Sequence, residues 1–203
     1  MTRVLDIFLS FLGLLILSPV LLVIALWIWV GSKGPVIYKQ KRVGKNGREF
    51  LMFKFRTMYT DAEKQGFLTV GTTDKRITPQ GLFLRKYKLD ELPQLFNVLT
   101  GEMSVVGPRP EVKKYVDLYT PEERSVLNVL PGITDIASVV YRNENEILAG
   151  QADPEKYYIE YIMPEKIKLN RQFINEPTVI NYLKVIYHTF RKIFIKNNSS
   201  YTF

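Results

Sequence analysis

From Ile7 to Gly31 no residue carries a charge, and most are Leu, Ile, Val, Phe or Trp. A bilayer needs roughly 20 such residues for a helical crossing, so this run is long enough to enter a membrane. A secretory signal fits less well, because its apolar core is about 7 to 15 residues and no small-x-small cleavage site follows Trp27-Ile28-Trp29-Val30. A buried core helix is the bland competitor, but so long an apolar run is rare in soluble folds. The segment is therefore read as mature, membrane-seeking structure.

Ser18-Pro19 falls near the middle of the run, where proline removes a backbone hydrogen bond and crowds the carbonyl four residues earlier. Arg3 precedes the run, while Lys33, Lys39, Lys41, Arg42, Lys45, Arg48, Lys54 and Arg56 crowd the stretch after it, opposed only by Glu49. Positive residues favour the cytoplasmic side, so the C-terminal flank is expected there. Two geometries fit: a straight span with its N-terminus outside, or a helix broken at Ser18-Pro19 that enters and leaves one leaflet.

Composition narrows the chemistry. The 203-residue chain has room for one domain and an appendage. It has no Cys, which removes disulfides, thiolate metal sites and cysteine nucleophiles. Its one histidine, His188, lies in an amphipathic stretch and is read as structural or solvated. Carboxylates, hydroxyls, Lys and Arg remain, and a hard cation such as Mg²⁺ suits carboxylates. The net charge of +8 raises nucleic-acid binding, but much of the excess adjoins the apolar run, where anionic lipid explains it equally well.

Two strand-like runs, 35–43 and 48–56, flank Gly44-Lys45-Asn46-Gly47, whose Asn-Gly pair predicts a tight hairpin turn. The basic hairpin could serve lipid attraction or be merely soluble. Residues 59–79 read as a long loop over the site. Helical patterns follow at 81–89 and through Leu92, Leu95, Phe96 and Leu99, which Gly101 is placed to cap. Gly107-Pro108-Arg109-Pro110 must be an extended corner holding one arginine. Helical stretches are expected at 111–119 and 121–129, a turn at Pro131-Gly132-Ile133-Thr134, and helices over 157–174 and 179–195. In the last, Ile180, Leu183, Ile186, Tyr187, Phe190 and Phe194 share a face, either a packing stripe or a membrane-surface one.

Asp90-Glu91 precede an apolar helix with Pro93 in its first turn, which alone suits ordinary helix initiation. Two carboxylates at such a place can also bind Mg²⁺ or attack phosphorus, with Lys54, Arg56, Arg85 and Arg109 as candidate cations to screen the charge. Residue patterns leave both readings open.

The blocks Lys54-Phe55-Arg56-Thr57-Met58, Leu89-Asp90-Glu91-Leu92-Pro93-Gln94-Leu95-Phe96-Asn97-Val98-Leu99, Gly101-Glu102-Met103-Ser104-Val105-Val106-Gly107-Pro108-Arg109-Pro110 and Pro131-Gly132-Ile133-Thr134 follow the apolar segment in this order. The chain thereby resembles the bacterial sugar transferase family, the small monotopic phosphoglycosyl transferases. The resemblance implies transfer of a phosphosugar from a UDP-sugar donor to a polyprenol phosphate acceptor, yielding polyprenyl diphosphate sugar and UMP. It implies Asp90 as a nucleophile forming an aspartyl phosphosugar, Glu91 as its partner acid, and a Mg²⁺ requirement met at Asp90 and Glu91. Lys54, Arg56, Arg85 and Arg109 become expected substrate-binding residues, and Ser18-Pro19 the kink of a re-entrant helix.

The expected class is α+β: a re-entrant membrane helix over 1–32, a mainly helical cytoplasmic catalytic domain over 33–196 with a β-hairpin and surface amphipathic helices, and a polar tail over 197–203. Membrane lipids are expected partners and nucleic acid is not; a homodimer is compatible with the reading. The expected location is the inner (cytoplasmic) membrane, with the catalytic domain facing the cytoplasm. Two departures from the family pattern stand out. Asp135 replaces a common glycine after Ile133-Thr134, and Lys88 stands where a small residue is common. The competing reading is a non-enzymatic basic membrane adaptor binding anionic lipids or a partner protein.

Overall fold

The computed structural model describes residues 2–60, 62 and 74–194, so most of the expected 59–79 loop and the polar tail lie outside the described residues. Helix α1, Thr2–Gly31, runs unbroken through Pro19, which corrects the expected break. The physical reason is local. Pro19 cannot donate to the Leu15 carbonyl, and the Ser18 hydroxyl donates to that oxygen instead at 2.9 Å, keeping the helix satisfied.

One stripe of α1 lies against the rest of the chain along its whole length. At its start, Arg3 donates to the carbonyls of Val98 at 2.6 Å and Leu99 at 3.0 Å. The buried Asp6 carboxylate accepts from the Ser104 hydroxyl, the Val105 N–H and the Tyr182 hydroxyl. A Cβ on Gly13 would meet the Leu95 side chain at 3.4 Å. Near its end, Ile24 and Ile28 are buried with Phe55 and Leu84. The opposite face, including Phe8, Phe11, Leu15, Ile16, Leu22, Val23, Trp27 and Trp29, is exposed and apolar.

Strands β1, Ile37–Val43, and β2, Glu49–Phe55, form the expected antiparallel hairpin, with Ile37 opposite Phe55 and Val43 opposite Glu49. Asn46 and Gly47 take positive φ, 58° and 73°, as a tight turn matched to strand twist requires. The cations of β1 divide by strand alternation: Lys39 and Lys41 are exposed, whereas Arg42 turns inward to the Pro110 carbonyl and Glu111. The hairpin thus fastens the segment after the Arg109 corner, helped by the Val43 N–H donating to the Glu111 carbonyl at 2.8 Å.

Helix α2, Pro79–Lys86, starts two residues before the expected helix because Thr78 caps it, its hydroxyl accepting from the Gly81 N–H, with Pro79 at the first position. Helix α3, Gln94–Thr100, ends on Gly101 at φ 91°, as expected. Strand β3, Ser104–Val106, then pairs in parallel with β4, Gly132–Thr134. The expected turn at Pro131–Thr134 is therefore a strand. Gly107 and Gly132 explain the pairing, since a Cβ on Gly132 would stand 2.1 Å from the Gly107 nitrogen.

Two expected helices are shorter than their patterns: α4 covers only Lys113–Val116, and 123–128 is a 3-10 turn. Helices α5, Ile136–Val140, α6, Glu144–Ala149, and α7, Pro154–Tyr157, lead through a π-helical turn at 158–162 into α8, Met163–Asn175. Helix α9, Val179–Phe194, buries Tyr182 and Val185 beside Leu5 and Leu9 of α1. Its predicted stripe divides. Ile186 is partly buried, while Ile180, Leu183, Tyr187 and Phe190 are exposed. The packing-stripe reading therefore does not hold at those exposed positions. The mainly helical α+β class holds.

Candidate active site

Asp90 and Glu91 sit in a 3-10 turn, Leu89–Glu91, between α2 and α3, and both are buried, at 7% and 8% exposure. Neither carboxylate caps a helix, so simple helix initiation does not account for the pair. Lys88 aims the turn from a left-handed conformation, φ 58° and ψ 21°. In that conformation the Lys88 Cβ carries a steric cost that only glycine would avoid. On the far side, Asn97 of α3 accepts from the Phe53 N–H at 2.9 Å and donates to the Leu51 carbonyl at 2.8 Å, setting the carboxylates against β2. Asn97 lay inside a quoted block, but its role depends on contacts some 44 to 46 residues away.

The two acids live in opposite electrostatic states. Glu91 accepts from Arg109 at 2.5 Å and pairs with Lys54 at 3.5 Å. Burial pushes its carboxyl up, but Arg109 and Lys54 more than offset that and hold it well below the usual range. Asp90 gains much less: burial, then the Glu91 charge, pushes its carboxyl up against the weaker pull of Lys54, Lys88 and Arg85. Its Oδ1 is buried and has no hydrogen-bond partner among the described residues. Burial lowers the Lys54 ammonium to about 8, despite the opposing pull of Glu91.

The other expected site residues distribute unevenly. Arg109 reaches Glu91 from the rigid corner after β3, and Glu91 in turn raises the Arg109 guanidinium. Arg85 bonds the Thr57 hydroxyl at 3.1 Å and feels Asp90 as its strongest attracting charge. Arg56 is not gathered round the acids; it donates to the Ser32 carbonyl and hydroxyl at the end of α1. His188 packs edge-on against Tyr187 on α9. Asp135 does not need the glycine conformation expected at its place: its backbone is extended, and its carboxylate caps α5 by accepting from the Ser138 N–H at 2.6 Å. Beside Arg109 lies a small cleft, with about 20 Å³ of water-sized free space, lined also by Tyr119, Tyr158, Lys166 and Asn170, none of which stood out in the sequence.

No cluster of three or more His, Cys, Asp or Glu side chains suited to a metal occurs among the described residues. Mg²⁺ does not require one, since it commonly takes one or two carboxylates and completes its shell with phosphate oxygens and water. The unpartnered oxygen of Asp90 fits that donor set. Chemically, the arrangement offers a buried carboxylate with one unpartnered oxygen and a fixed Glu-Arg-Lys cluster beside it.

Comparison with known proteins identifies the family. The family model described as bacterial sugar transferase matches residues 1–196. A Klebsiella pneumoniae UDP-glucose:undecaprenyl-phosphate glucose-1-phosphate transferase is 38% identical over 98% of this chain and 41% of its own length. An Aeromonas hydrophila UDP-N-acetylgalactosamine-undecaprenyl-phosphate N-acetylgalactosaminephosphotransferase is 39% identical over 78% of this chain and 37% of its own. The Rhizobium leguminosarum bv. phaseoli exopolysaccharide production protein PSS is 43% identical over 68% of this chain and 72% of its own. The chain thus spans about two-fifths of the length of the first two. With the match running from the apolar helix through the carboxylate turn and the arginine corner to α9, the chain belongs to the bacterial sugar transferase family.

Proposed function

We propose that the chain is a phosphoglycosyl transferase that moves a sugar 1-phosphate from a UDP-sugar to polyprenol phosphate, with Asp90 as covalent nucleophile. The buried, unpartnered Asp90 oxygen beside a charge-saturated Glu91 is the observation that carries this reading. In the first step an Asp90 oxygen attacks the sugar-bearing phosphorus; the new O–P bond forms as the P–O bond to the inner phosphate breaks, and UMP leaves with that electron pair. In the second, an oxygen of the lipid phosphate attacks the same phosphorus and releases the Asp90 carboxylate. One screened pocket serves both steps.

Lys54 and Arg109 supply positive charge where the diphosphate sits, while Glu91 fixes Arg109 in place. Glu91, held strongly ionised, is better suited to orienting cations than to removing a proton. Asp90 and Glu91 would hold Mg²⁺, which would supply further neutralisation of the donor's diphosphate. Burial of Asp90 also limits water attack on an acyl phosphate.

Membrane attachment follows from α1 and α9. Arg3 and Asp6 at one end and Ile28 at the other meet the same domain, which supports both ends of α1 staying on one side, with its exposed apolar face in one leaflet. The cation-rich flank after the helix favours the cytoplasmic side of the inner membrane. A non-enzymatic adaptor is the weaker reading because it has no use for a buried carboxylate pair. Asp90→Asn should lower UMP release from a UDP-sugar, with Mg²⁺ and polyprenol phosphate present, by at least 1000-fold. Near-normal turnover by that variant would overturn the nucleophile assignment.

A further inference from the structure

The corner that carries Arg109 has little backbone with which to hold itself. Pro108 and Pro110 have no N–H, so both can be tied down only through their carbonyls. Pro108 accepts from the Gly132 N–H at 2.9 Å, and Pro110 accepts from the Arg42 guanidinium at 3.1 Å. The next residue, Glu111, adds a side-chain anchor. Its carboxylate, only 13% exposed, commits its two oxygens to different parts of the chain. Oε2 accepts from Arg42 of β1 at 3.4 Å, whereas Oε1 accepts from the Tyr158 hydroxyl at 2.5 Å. Arg42 is braced in turn, its Nε and Nη2 donating to the Gln40 Oε1 at 3.1 and 2.9 Å. The corner is thus clamped between the hairpin on one side and the C-terminal helices on the other.

Tyr158 is built for this contact. It opens the π-helical turn, whose wider winding puts Tyr158 and Met163, five residues apart, both on the buried side. The Tyr115 ring packs on it at 5.1 Å, and the Lys166 Nζ lies over it at 5.4 Å. Burial, then the Glu111 charge, pushes its hydroxyl well above the ordinary tyrosine range, so it remains a donor to Glu111. A hydrogen bond to a charged acceptor is among the stronger ones available to a protein. At the far end of the chain of contacts, Arg109 donates to Glu91 at 2.5 Å, and the charges of Glu91, Asp135 and Glu111 together favour its guanidinium. The free space between Tyr158 and Arg109 has room for about one water. Tyr158 therefore acts on the site through Glu111 and not by touching a ligand.

We infer that Tyr158 and Glu111 are positioning residues for Arg109: their bond holds the proline corner so that the guanidinium is already set against Glu91 when the donor's diphosphate arrives. This rests on the proposed function and deepens it, because a cation fixed beforehand loses less freedom on binding than one ordered by its ligand.

Tyr158→Phe deletes the bond and keeps the ring. In the full chain carrying isotopically labelled arginine, in a neutral detergent, the Arg109 guanidinium signal is the one lost in Arg109→Lys. Its protons should exchange with water at least about 5-fold faster in Tyr158→Phe. In turnover with a UDP-sugar that supports UMP release, Tyr158→Phe should raise KM for that donor at least about 5-fold and leave kcat within about 2-fold. In an Arg109→Lys background the same change should cost less than about 2-fold, because the group it positions is gone. Glu111→Gln, which keeps the shape and weakens the same anchor, should reproduce the faster exchange and the raised KM. Tyr182→Phe is the comparator: it deletes a similarly buried tyrosine–carboxylate bond, to Asp6 at 2.6 Å, that holds α1 and not the corner. It should leave both readouts within about 2-fold. Unchanged exchange or unchanged KM in Tyr158→Phe and Glu111→Gln, an equal effect in Tyr182→Phe, or the full rise in the Arg109→Lys background would each overturn the assignment. Absence of UMP release by the unsubstituted protein would instead overturn the proposed function, and the exchange rates would then decide the positioning of Arg109 by themselves.

Discussion

Lys54 shows how one buried residue sets the working range of the site. In the proposed reaction its ammonium, lowered to about 8 by burial, would have to stay charged to hold anionic oxygens beside Glu91. Raising pH past about 8 removes that charge in the free enzyme, so kcat/KM should fall on the alkaline side there. On the acid side, Asp90 must ionise, and its raised carboxyl moves that limb above the usual carboxylate range. Lys54→Arg should shift the alkaline limb upward by at least one pH unit, because a guanidinium stays protonated. A pH profile of kcat/KM in which the limb does not move would assign it to another group. The gathering of Asp90, Glu91 and Arg109 into one site was implied only by the family resemblance, whereas the turn at Asp90-Glu91 and the proline corner at Arg109 were legible in sequence because such signals are local. The weak partnership of Asp90 against the saturation of Glu91 was not, since it depends on Lys54 and Arg109 arriving from β2 and from the corner after β3.

Among the elements, α9 tests the lipid-facing reading most simply. Its buried side, Tyr182 and Val185, holds it to α1 and β3, while Leu183 and Phe190 point away, at 51% and 60% exposure. Changing Leu183 and Phe190 together to Glu should leave the melting temperature in detergent within about 2 °C and weaken partitioning onto phosphatidylglycerol vesicles at least 10-fold. Unchanged vesicle binding would return the stripe to solvent. Periodicity found this helix and could not say which of its faces packs. The hairpin and the Gly101 cap were readable because Asn46-Gly47 and Gly101 act through their own backbone angles. Strand β4 was not, because its signal is the contact of Gly132 with Gly107, 25 residues earlier.

At the level of the molecule, the chain works as a domain with a membrane helix strapped along it. The straps are polar and distant in sequence: Arg3 to the end of α3, and Asp6 to Ser104, Val105 and Tyr182, up to 176 residues away. Sequence patterns located the helix and left its topology open, since these partners carry no local signature. Because the chain has no Cys, Thr2→Cys and Lys33→Cys can be probed singly. Both should resist a membrane-impermeant maleimide in intact cells and react once the membranes are opened; labelling of Thr2→Cys in intact cells would contradict same-side ends. In the proposed function, a domain so anchored would meet a soluble donor and a lipid acceptor at one carboxylate. The most direct measurement of that claim is the intact mass of the peptide containing Asp90 after exposure to UDP-sugar and Mg²⁺ without lipid. The account predicts a phosphosugar adduct there that vanishes on adding polyprenol phosphate, whereas an unmodified peptide under conditions that make product once lipid is supplied would contradict it.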